Sequence, residues 1–537
     1  MLPQISVCGG LAFDTIYRTM TDGSFDIPDR KVMKIVFQVA ICLIVSVSLS
    51  VAAAESQGIK LPNIVFILAD DMGYGDVSLL NANSKIQTPH IDSLGREGIR
   101  FTDAHSACSV CTPTRYGIIT GRYPMRAAIK STVINGYAPM VLEPNRLTVA
   151  QMLREKGYAT AIFGKWHLGI NWIDKDGNPL AAPRGDNAGE RVDFTKPITW
   201  GPLSAGFDRF FGISASLDMP PYVFIENDLV TELPTVIKQN DPPRPGLAGE
   251  NFEPIDVQPI LTKKAVEFIE EHAIGKNAKP FFLYLPLAAP HTPVVPTEQW
   301  QGKSAIGDYG NFCMQVDDSV GQILDALKRS GLSENTLVFF TADNGFAPYI
   351  KPERFESQGH FPSYIFRGYK AGVYEGGFRV PLLVRWPVRI KPNMVCDRLV
   401  SLNDLMRTCA EIVGYQLPDN VAEDSFSMLP LFDGTFTEAS RTQRVSIAPN
   451  NLVAFRENNW KLIVSAHTQG NPVNPNMRLI CELYDLVADP GEKINVAADN
   501  PELVAALIGK LQETFDRGRS TPGTPQENNS NFRLLLP

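Results

Sequence analysis

The sequence has no excess of basic residues. Its 537 residues include 50 Lys and Arg against 58 Asp and Glu, which gives a net charge of −8 and a pI near 5.5. Nucleic-acid-binding domains are typically basic, so we expect no nucleic-acid partner. An anionic small substrate is not excluded, because an acidic protein can still contain a basic pocket.

Cysteine is also scarce, with eight in the whole chain. Cys8 and Cys42 precede residue 55, and the other six are too scattered for a dense disulfide framework. The chain contains one C-x-x-C pair, formed by Cys108 and Cys111, and it contains no C-x-x-C-H. That pair alone is compatible with packing, a redox pair or half of a zinc site.

Long hydrophobic runs are absent except at residues 35–49. The length of this run is short for a membrane span and typical of the apolar part of a signal peptide. Lys31 and Lys34 precede it, and three alanines at 52–54 supply a cleavage site. We therefore predict a leader and signal peptide over 1–54 with a start at Met33, secretion or periplasmic export, and no stable membrane insertion. A membrane anchor is the alternative.

The remaining chain is long enough for one large and one smaller domain, and it shows no internal repeats. Short apolar runs at 63–69, 281–287 and 336–341 alternate with helical patterns as far as about 415. This order predicts an α/β domain with a doubly wound sheet over 55–415. Short strands and one helix after 416 predict an α+β subdomain over 416–537, with a loose polar tail from 518.

Acidic and amide side chains follow two of the predicted strands. Asp70 and Asp71 end the first, and Asp343 and Asn344 end another. Open α/β sheets bind ligands at the carboxyl ends of their strands, and such oxygens suit Ca²⁺ or Mg²⁺. Helix capping by the first pair and a simple turn at the second are the alternatives.

Basic side chains occur in comparable places. Lys165 and His167 follow a predicted strand, Lys370 lies in a glycine-rich segment, and His291 lies between two prolines that restrict its backbone. Each of these residues alone is compatible with a solvated side chain that has no role. Residues 171–260 are rich in Gly, Pro, Asn and Asp, so we expect loops there that select the substrate.

The stretch from Cys111 to Arg115 combines a nucleophile with an anion site. Thr112 and Pro113 predict a helix start, with Thr112 as the N-cap. Cys111 would then lie just before a helix N-terminus, where free N–H groups and the helix dipole favour an anion. Arg115 adds a guanidinium suited to an oxyanion in the first turn.

Residues 111–121 resemble the C-x-P-x-R signature of the type I, formylglycine-dependent sulfatases. Residues 157–167 resemble that family's G-Y-x-T-x-x-x-G-K-x-H signature, and Phe163 departs from it only in packing size. Residues 374–381 resemble its Y-E-G-G-x-R-x-P segment, and 359–367 resemble arylsulfatase A and N-acetylgalactosamine-6-sulfatase-like members. The resemblance covers about residues 62–500.

The resemblance implies an alkaline-phosphatase-like fold, a mixed sheet flanked by helices, and hydrolysis of sulfate esters on a sulfated polysaccharide or glycosaminoglycan-type sugar. It implies that a formylglycine-generating enzyme oxidises Cys111 to formylglycine (3-oxoalanine), whose gem-diol is the nucleophile through a sulfated-enzyme intermediate. The implied ligands of Ca²⁺, or of Mg²⁺, are Asp70, Asp71, Cys111 in its modified form, Asp343 and Asn344. The implied catalytic and sulfate-binding residues are Cys111, Arg115, Lys165, His167, His291 and Lys370, with His291 as the acid and His167 as the base.

Two other functions remain compatible with the sequence. A phosphoesterase can share this fold, although such enzymes generally use Ser or Thr with two zinc ions and extra histidine ligands. A non-catalytic glycan-binding protein or a C-x-x-C redox protein is the second alternative.

Overall fold

The computed structural model describes residues 60–181, 186–239, 244–274, 279–434, 441–449, 452–468, 479–530 and 532–535. Leu61–Pro537 forms one compact unit, and Met1–Lys60 is a separate unit. The predicted leader and signal peptide, with Cys8 and Cys42, lie outside the described residues. Within the described ranges, we find no helix with the length and apolarity needed to cross a membrane.

The strands of the described chain are β1 (Asn63–Ala69), β2 (Ile99–Phe101), β3 (Ala104–His105), β4 (Ala159–Lys165), β5 (Arg209–Ile213), β6 (Ile225–Glu226), β7 (Leu229–Val230), β8 (Val236–Lys238), β9 (Gly246–Ala248), β10 (Phe281–Pro286), β11 (Thr336–Ala342), β12 (Leu382–Arg385), β13 (Met394–Cys396), β14 (Val400–Ser401), β15 (Gln443–Ala448), β16 (Leu452–Glu457), β17 (Trp460–Thr468), β18 (Cys481–Asp485) and β19 (Phe532–Leu535). The α-helices are α1 (Pro89–Arg96), α2 (Cys111–Thr120), α3 (Val149–Glu155), α4 (Pro254–Ala273), α5 (Asp308–Arg329), α6 (Glu353–Glu356), α7 (Glu375–Phe378), α8 (Leu405–Ile412), α9 (Leu429–Phe432) and α10 (Pro501–Asp516).

Ten strands form one mixed sheet in the order β13-β2-β12-β11-β1-β10-β4-β5-β6-β7. The five strands from β11 to β5 are parallel, and β1 lies between β11 and β10 with Ala69 opposite Ala342. Their near-continuous apolar sequences fit strands that are covered on both faces. Helices α1, α4 and α5 pack against one another on one face, and α2, α3 and α8 do so on the other. The predicted α/β class with a doubly wound mixed sheet is confirmed.

The region 171–260 is not made of loops alone. It contains β5, which pairs in parallel with β4 inside the main sheet, and it contains the start of α4 at Pro254. The strand prediction missed β5 because its five residues include Gly212 and lie between turn-rich segments. The polar segment after β5 still reaches the site described below, through Asp218.

Residues after 440 build the predicted antiparallel sheet. Strands β15, β16, β17 and β18 are neighbours, β19 also pairs with β17, and α10 packs on β16 and β17. The prediction of a loose tail is wrong for its described part. Arg519 is 2% exposed and donates to Asp419 Oδ1 at 2.8 Å, and Thr521 Oγ1 donates to the Glu423 backbone oxygen at 2.9 Å. The side chains of Arg519 and Thr521 are therefore fixed by hydrogen bonds to the protein.

The segment that leads into α2 packs on this second sheet. Cys108 forms a parallel bridge with Ile447, and Val110 belongs to the same apolar cluster as Leu511 of α10. Ser106 Oγ and Thr114 Oγ1 both donate to the Cys108 backbone oxygen, at 2.7 and 2.8 Å. The start of α2 is thus fixed from both sides.

We predict that Asp317→Ala lowers the free energy of unfolding by about 1–3 kcal/mol. Asp317 is buried in α5 and its carboxylate accepts the backbone N–H groups of His90 and Ile91, at 3.3 and 2.8 Å, at the start of α1. Urea denaturation measures the change. The matched control is Asp318→Ala, since Asp318 is less buried and its carboxylate accepts a hydrogen bond from Gln322 of its own helix. Equal midpoints for the two variants would contradict this role of Asp317.

Candidate active site

Four oxygen-bearing side chains lie together at the carboxyl edge of the main sheet. Asp70 and Asp71 follow β1, and Asp343 and Asn344 follow β11. All four are completely buried. The Asp71 backbone N–H donates to Asp343 Oδ1 at 3.2 Å, and Asn344 Nδ2 donates to Asp71 Oδ1 at 2.7 Å. The parallel pairing of β1 with β11 therefore brings the predicted metal ligands into one cluster.

Arg115, in the second turn of α2, contacts this cluster through its guanidinium. Its Nε and Nη2 donate to Asp343 Oδ2 at 3.2 and 2.8 Å, and its Nη1 donates to the Lys165 backbone oxygen at 2.9 Å. Nη2 also lies 3.5 Å from Asp70 Oδ1. The guanidinium is fully buried, so its main effect is to orient Asp343 and offset the carboxylate charge.

Two lysine side chains contact the cluster, each at a different carboxylate. Lys165, the last residue of β4, places Nζ 2.5 Å from Asp70 Oδ2, and Lys370 Nζ lies 2.6 Å from Asp71 Oδ1. Burial alone would raise the pKa of Asp71, but Lys370 and His291 outweigh burial and lower that pKa. Burial likewise opposes the charge of Lys370, while Asp71 raises its pKa well above the ordinary value. Lys370 is therefore held as a cation beside the carboxylate cluster.

His167 lies in the turn after β4, with a left-handed φ of 55°. Its Nε2 is 2.8 Å from the Ile134 backbone oxygen, so Nε2 carries the proton of the neutral ring because a carbonyl only accepts. Burial, with Lys165 and Arg115, lowers the pKa of His167 well below its ordinary value. Its Nδ1 is buried and has no hydrogen-bond partner among the described residues. Nδ1 is thus a free proton acceptor.

His291 lies on the other side of Asp71. Its Nδ1 donates to the Thr292 backbone oxygen at 2.7 Å, and its Nε2 is 3.6 Å from Asp71 Oδ2. Burial lowers the pKa of His291 to about 4, although Asp71 opposes the shift. His291 Nε2 is therefore unprotonated at neutral pH in this arrangement.

Sequence reasoning missed two residues of the site. Tyr349 donates its hydroxyl to Asp71 Oδ2 at 2.7 Å and lies 3.1 Å from His291 Nε2, and Asp218 Oδ1 lies 4.0 Å from His291 Nδ1. Asp218 is almost fully buried, and its Oδ1 has no hydrogen-bond partner in the described chain. Tyr349 lies in a short 3-10 helix over Pro348–Ile350 and Asp218 in a turn, both outside any recognised motif, so no sequence signal identified them.

Cys111 is the first residue of α2, and the N-cap is Val110 rather than the predicted Thr112. The helix therefore starts two residues earlier than predicted, and Cys111 lies inside its first turn. Burial raises the pKa of its thiol; Lys165 and Lys370 oppose that shift, while Asp70 and Asp343 add to it. The charges acting on Cys111 are therefore those of the carboxylate cluster and of its two lysines.

The pair Cys108 and Cys111 is not a disulfide, and all six cysteines in the described ranges are free thiols. Cys108 is fully buried, and burial raises the pKa of its thiol to about 12. A reactive redox cysteine instead has a lowered pKa and access to solvent. The geometry therefore does not favour a C-x-x-C redox function.

The carboxylate cluster fits a hard divalent cation. Asp70 Oδ1 and Asn344 Oδ1 are buried and lack hydrogen-bond partners among the described residues. Burial, with Asp70 close by, raises the pKa of Asp343 to about 6, which shows that its negative charge is poorly compensated. One ligand atom each of Asp70, Asp71 and His291 lies within 4.8 Å of the others. Unsatisfied oxygens and crowded carboxylates suit Ca²⁺ or Mg²⁺.

A second group, formed by Asp103, His105 and Glu375, also has ligand atoms within 4.8 Å of one another. Its carboxylates are already paired with protein cations. Arg456 Nη1 lies 2.7 Å from Asp103 Oδ1, and Lys461 Nζ lies 3.0 Å from Glu375 Oε1. This group does not need a metal ion to balance its charge.

Comparison with known proteins agrees with the fold. A family described as Sulfatase matches residues 62–415, and a family described as N-sulphoglucosamine sulphohydrolase, C-terminal, matches residues 368–520. The chain is 34% identical to an N-acetylgalactosamine-6-O-sulfatase of Bacteroides thetaiotaomicron, over 89% of this chain and 98% of that protein. It is 33% identical to human arylsulfatase A, over 83% of this chain and 86% of that protein.

Solved structures show the same architecture. A Bacteroides thetaiotaomicron structure, described with the metabolism of multiple glycosaminoglycans, superposes with a TM-score of 0.73 at 33% identity, covering 85% of this chain and 99% of that one. A phosphonate monoester hydrolase of Agrobacterium radiobacter superposes with a TM-score of 0.55 at 20% identity, covering 85% and 96%. The second likeness concerns the fold alone.

The fold and the comparisons define the protein as an alkaline-phosphatase-like hydrolase with a C-terminal antiparallel sheet. The chain belongs to the sulfatase family, and its chemistry is the hydrolysis of sulfuric esters.

We predict that Ca²⁺ raises the melting temperature of the purified protein and that a chelator reverses the increase. Ligand at about 100 times its Kd stabilises a folded protein by about 2.7 kcal/mol. Asp70→Asn removes a negative ligand with little change in shape, so the Ca²⁺-dependent increase in melting temperature becomes much smaller. Differential scanning fluorimetry measures it.

Asp397→Asn is the control, because the side chain of Asp397 is 85% exposed and lies outside the cluster. It retains the full Ca²⁺ effect. The same increase in Asp70→Asn as in the unmodified protein would show that the ion binds elsewhere.

Proposed function

We propose that this protein removes sulfate from a sulfated glycosaminoglycan-type sugar, with Cys111 oxidised to formylglycine and a Ca²⁺ ion beside it. The observation that carries the proposal is the position of Cys111, at the first turn of α2 among the charges of the carboxylate cluster, Lys165 and Lys370. The proposed ion ligands are Asp70, Asp71, Asp343, Asn344 and the modified residue 111, with Mg²⁺ as the alternative ion.

Formylglycine and a bound cation would supply two kinds of chemistry. The hydrated aldehyde of formylglycine provides the attacking hydroxyl and a second hydroxyl for release of sulfate, and a bound cation stabilises negative oxygen. A formylglycine-generating enzyme would be the maturation partner. Everything else in the reaction depends on the side chains described above.

Arg115, Lys165 and Lys370 compensate negative charge in the proposed reaction. Arg115 acts through Asp343, because its guanidinium donates to Asp343 and to the Lys165 backbone oxygen. The two lysines have flexible ammonium groups that can turn from the carboxylates towards sulfate oxygens. Preorganised cations at such oxygens are a main source of rate enhancement.

The two histidines divide the proton transfers. The free Nδ1 of neutral His167 suits it as the base that takes a proton from the second hydroxyl. His291 donates a proton to the leaving alcohol. Because its pKa is about 4 here, His291 Nε2 becomes protonated only when a bound anionic ester raises that pKa.

The substrate class is supported by the relatives. The chain resembles proteins named N-acetylgalactosamine-6-sulfatase from bacteria and mammals at 31–34% identity. We infer that a 6-sulfated N-acetylgalactosamine unit of a polysaccharide is a suitable substrate, encountered by a secreted or periplasmic enzyme. A phosphoesterase remains the second candidate, since a phosphonate hydrolase shares the fold.

Paired aryl sulfate and aryl phosphate esters separate the two functions. We expect kcat/KM to be higher for the sulfate by at least about a hundredfold, which corresponds to roughly 2.7 kcal/mol in the transition state. Cys111→Ala abolishes sulfate release but retains the Ca²⁺-dependent increase in melting temperature. Cys481→Ala is the control, because Cys481 lies on β18 in the second sheet. Unchanged activity in Cys111→Ala refutes the proposed mechanism.

Peptide mass analysis of residue 111 tests the modification itself. Protein from the native host is expected to give a peptide lighter than the unmodified thiol form, and that peptide is expected to react with a hydrazide. An intact thiol, or a Cys108–Cys111 disulfide, would contradict the proposal and would favour the non-catalytic or redox alternative.

A further inference from the structure

A groove opens beside the candidate active site, next to His291 and Tyr349. Its volume is about 760 Å³, and its walls are residues 292–295, residues 306–309 at the start of α5, residues 349–351, Arg354 and Phe355. Tyr349 belongs to both places, because its hydroxyl donates to Asp71 at 2.7 Å while its ring lines the groove. The groove therefore shares Tyr349 with the candidate active site and lies beside it.

Two cations line this groove without a carboxylate partner. Lys351 and Arg354 are both exposed, and neither forms an ion pair within 4.0 Å among the described residues. Asp308 also lines the groove, but its Oδ1 accepts a hydrogen bond from Asn311 Nδ2 at 3.2 Å. The groove is therefore lined by two cationic side chains without a carboxylate partner among the described residues. Its one lining carboxylate, that of Asp308, already accepts a hydrogen bond.

The backbone at Lys351 supports a role for its side chain. Lys351 has a φ of 66°, a left-handed conformation that favours glycine. A lysine at this turn is therefore not explained by turn geometry. Next to it, Tyr349 is 49% exposed and offers a flat ring to a ligand in the groove.

We propose that the groove binds the sugar adjacent to the sulfated one, and that Lys351 and Arg354 recognise an anionic group on that neighbour. The inference rests on the proposed function and deepens it, since it makes the substrate a polyanionic oligosaccharide. A guanidinium suits the paired oxygens of a carboxylate or a sulfate, and Tyr349 packs against the sugar ring. Sulfate bound at the catalytic edge and an anion bound in the groove would hold two consecutive sugars.

The test compares a small and a large substrate. The double variant Lys351→Gln/Arg354→Gln is assayed for sulfate release from an aryl sulfate and from a chondroitin 6-sulfate tetrasaccharide. We expect KM for the tetrasaccharide to rise about tenfold with kcat little changed, since the lost contacts lie away from the reacting atoms. The kinetics on the aryl sulfate are expected to stay within about twofold.

The matched control is Lys263→Gln/Arg329→Gln, which removes two exposed cations from α4 and α5. We expect this control to have unchanged kinetics on both substrates. The proposal is overturned if the groove variant has an unchanged KM for the tetrasaccharide, or if its kcat/KM falls by the same factor on both substrates. A tetrasaccharide with its carboxyl groups reduced tests the anion: the difference between the groove variant and the unmodified protein disappears if the carboxylate of the adjacent uronic acid is recognised. If the difference persists, a sulfate on a more distant sugar is bound and the assignment to the adjacent sugar is overturned.

Binding to catalytically inactive protein separates this inference from the proposed function. Calorimetry with the tetrasaccharide compares Cys111→Ala with the triple variant that also carries the two groove substitutions. Weaker binding to the triple variant supports the groove even if the unmodified protein releases no sulfate. Equal affinity overturns the groove assignment, whatever the activity.

Discussion

The site depends on the parallel pairing of β1 with β11. Their registration places Asp70 and Asp71 beside Asp343 and Asn344, all buried at one edge of the sheet. Three carboxylates share this small buried space, and burial, together with the nearby charge of Asp70, raises the pKa of Asp343. Protein cations, and in the proposed enzyme a metal ion, are needed to keep the cluster ionised.

Arg115 links the cluster to the residue proposed as the nucleophile. Its guanidinium joins Asp343 to the end of β4, and its own helix begins at Cys111. The segment before that helix is in turn fixed on the C-terminal sheet through Cys108 and Ile447. The second sheet therefore contributes to catalysis by positioning, since it holds the start of α2 against the main sheet.

The sequence was most informative where a buried apolar strand ended in a polar pair. Such runs predicted β1 and β11, and the parallel order then implied that Asp70 and Asp343 would meet. The antiparallel sheet after residue 440 was predicted from similar patterns. These features depend on local apolar sequence, which is visible without knowledge of tertiary contacts.

Other features depend on contacts between distant segments, and the sequence did not reveal them. Tyr349 reaches Asp71 from a short segment that has no periodic pattern, and the polar tail is ordered by Arg519 and its partners. Strand β5 was hidden among glycine- and proline-rich turns. The start of α2 was misplaced by two residues, because Thr112 looks like an N-cap locally while the N-cap in the structure is Val110.

The central claim is that a cation and residue 111 share the edge formed by β1 and β11. A crystal structure of protein grown with Ca²⁺ tests it most directly. The account predicts an ion about 2.3–2.6 Å from oxygens of Asp70, Asp71, Asp343, Asn344 and an oxidised residue 111. An ion bound elsewhere, with Lys165 and Lys370 still paired to Asp70 and Asp71, would contradict the account.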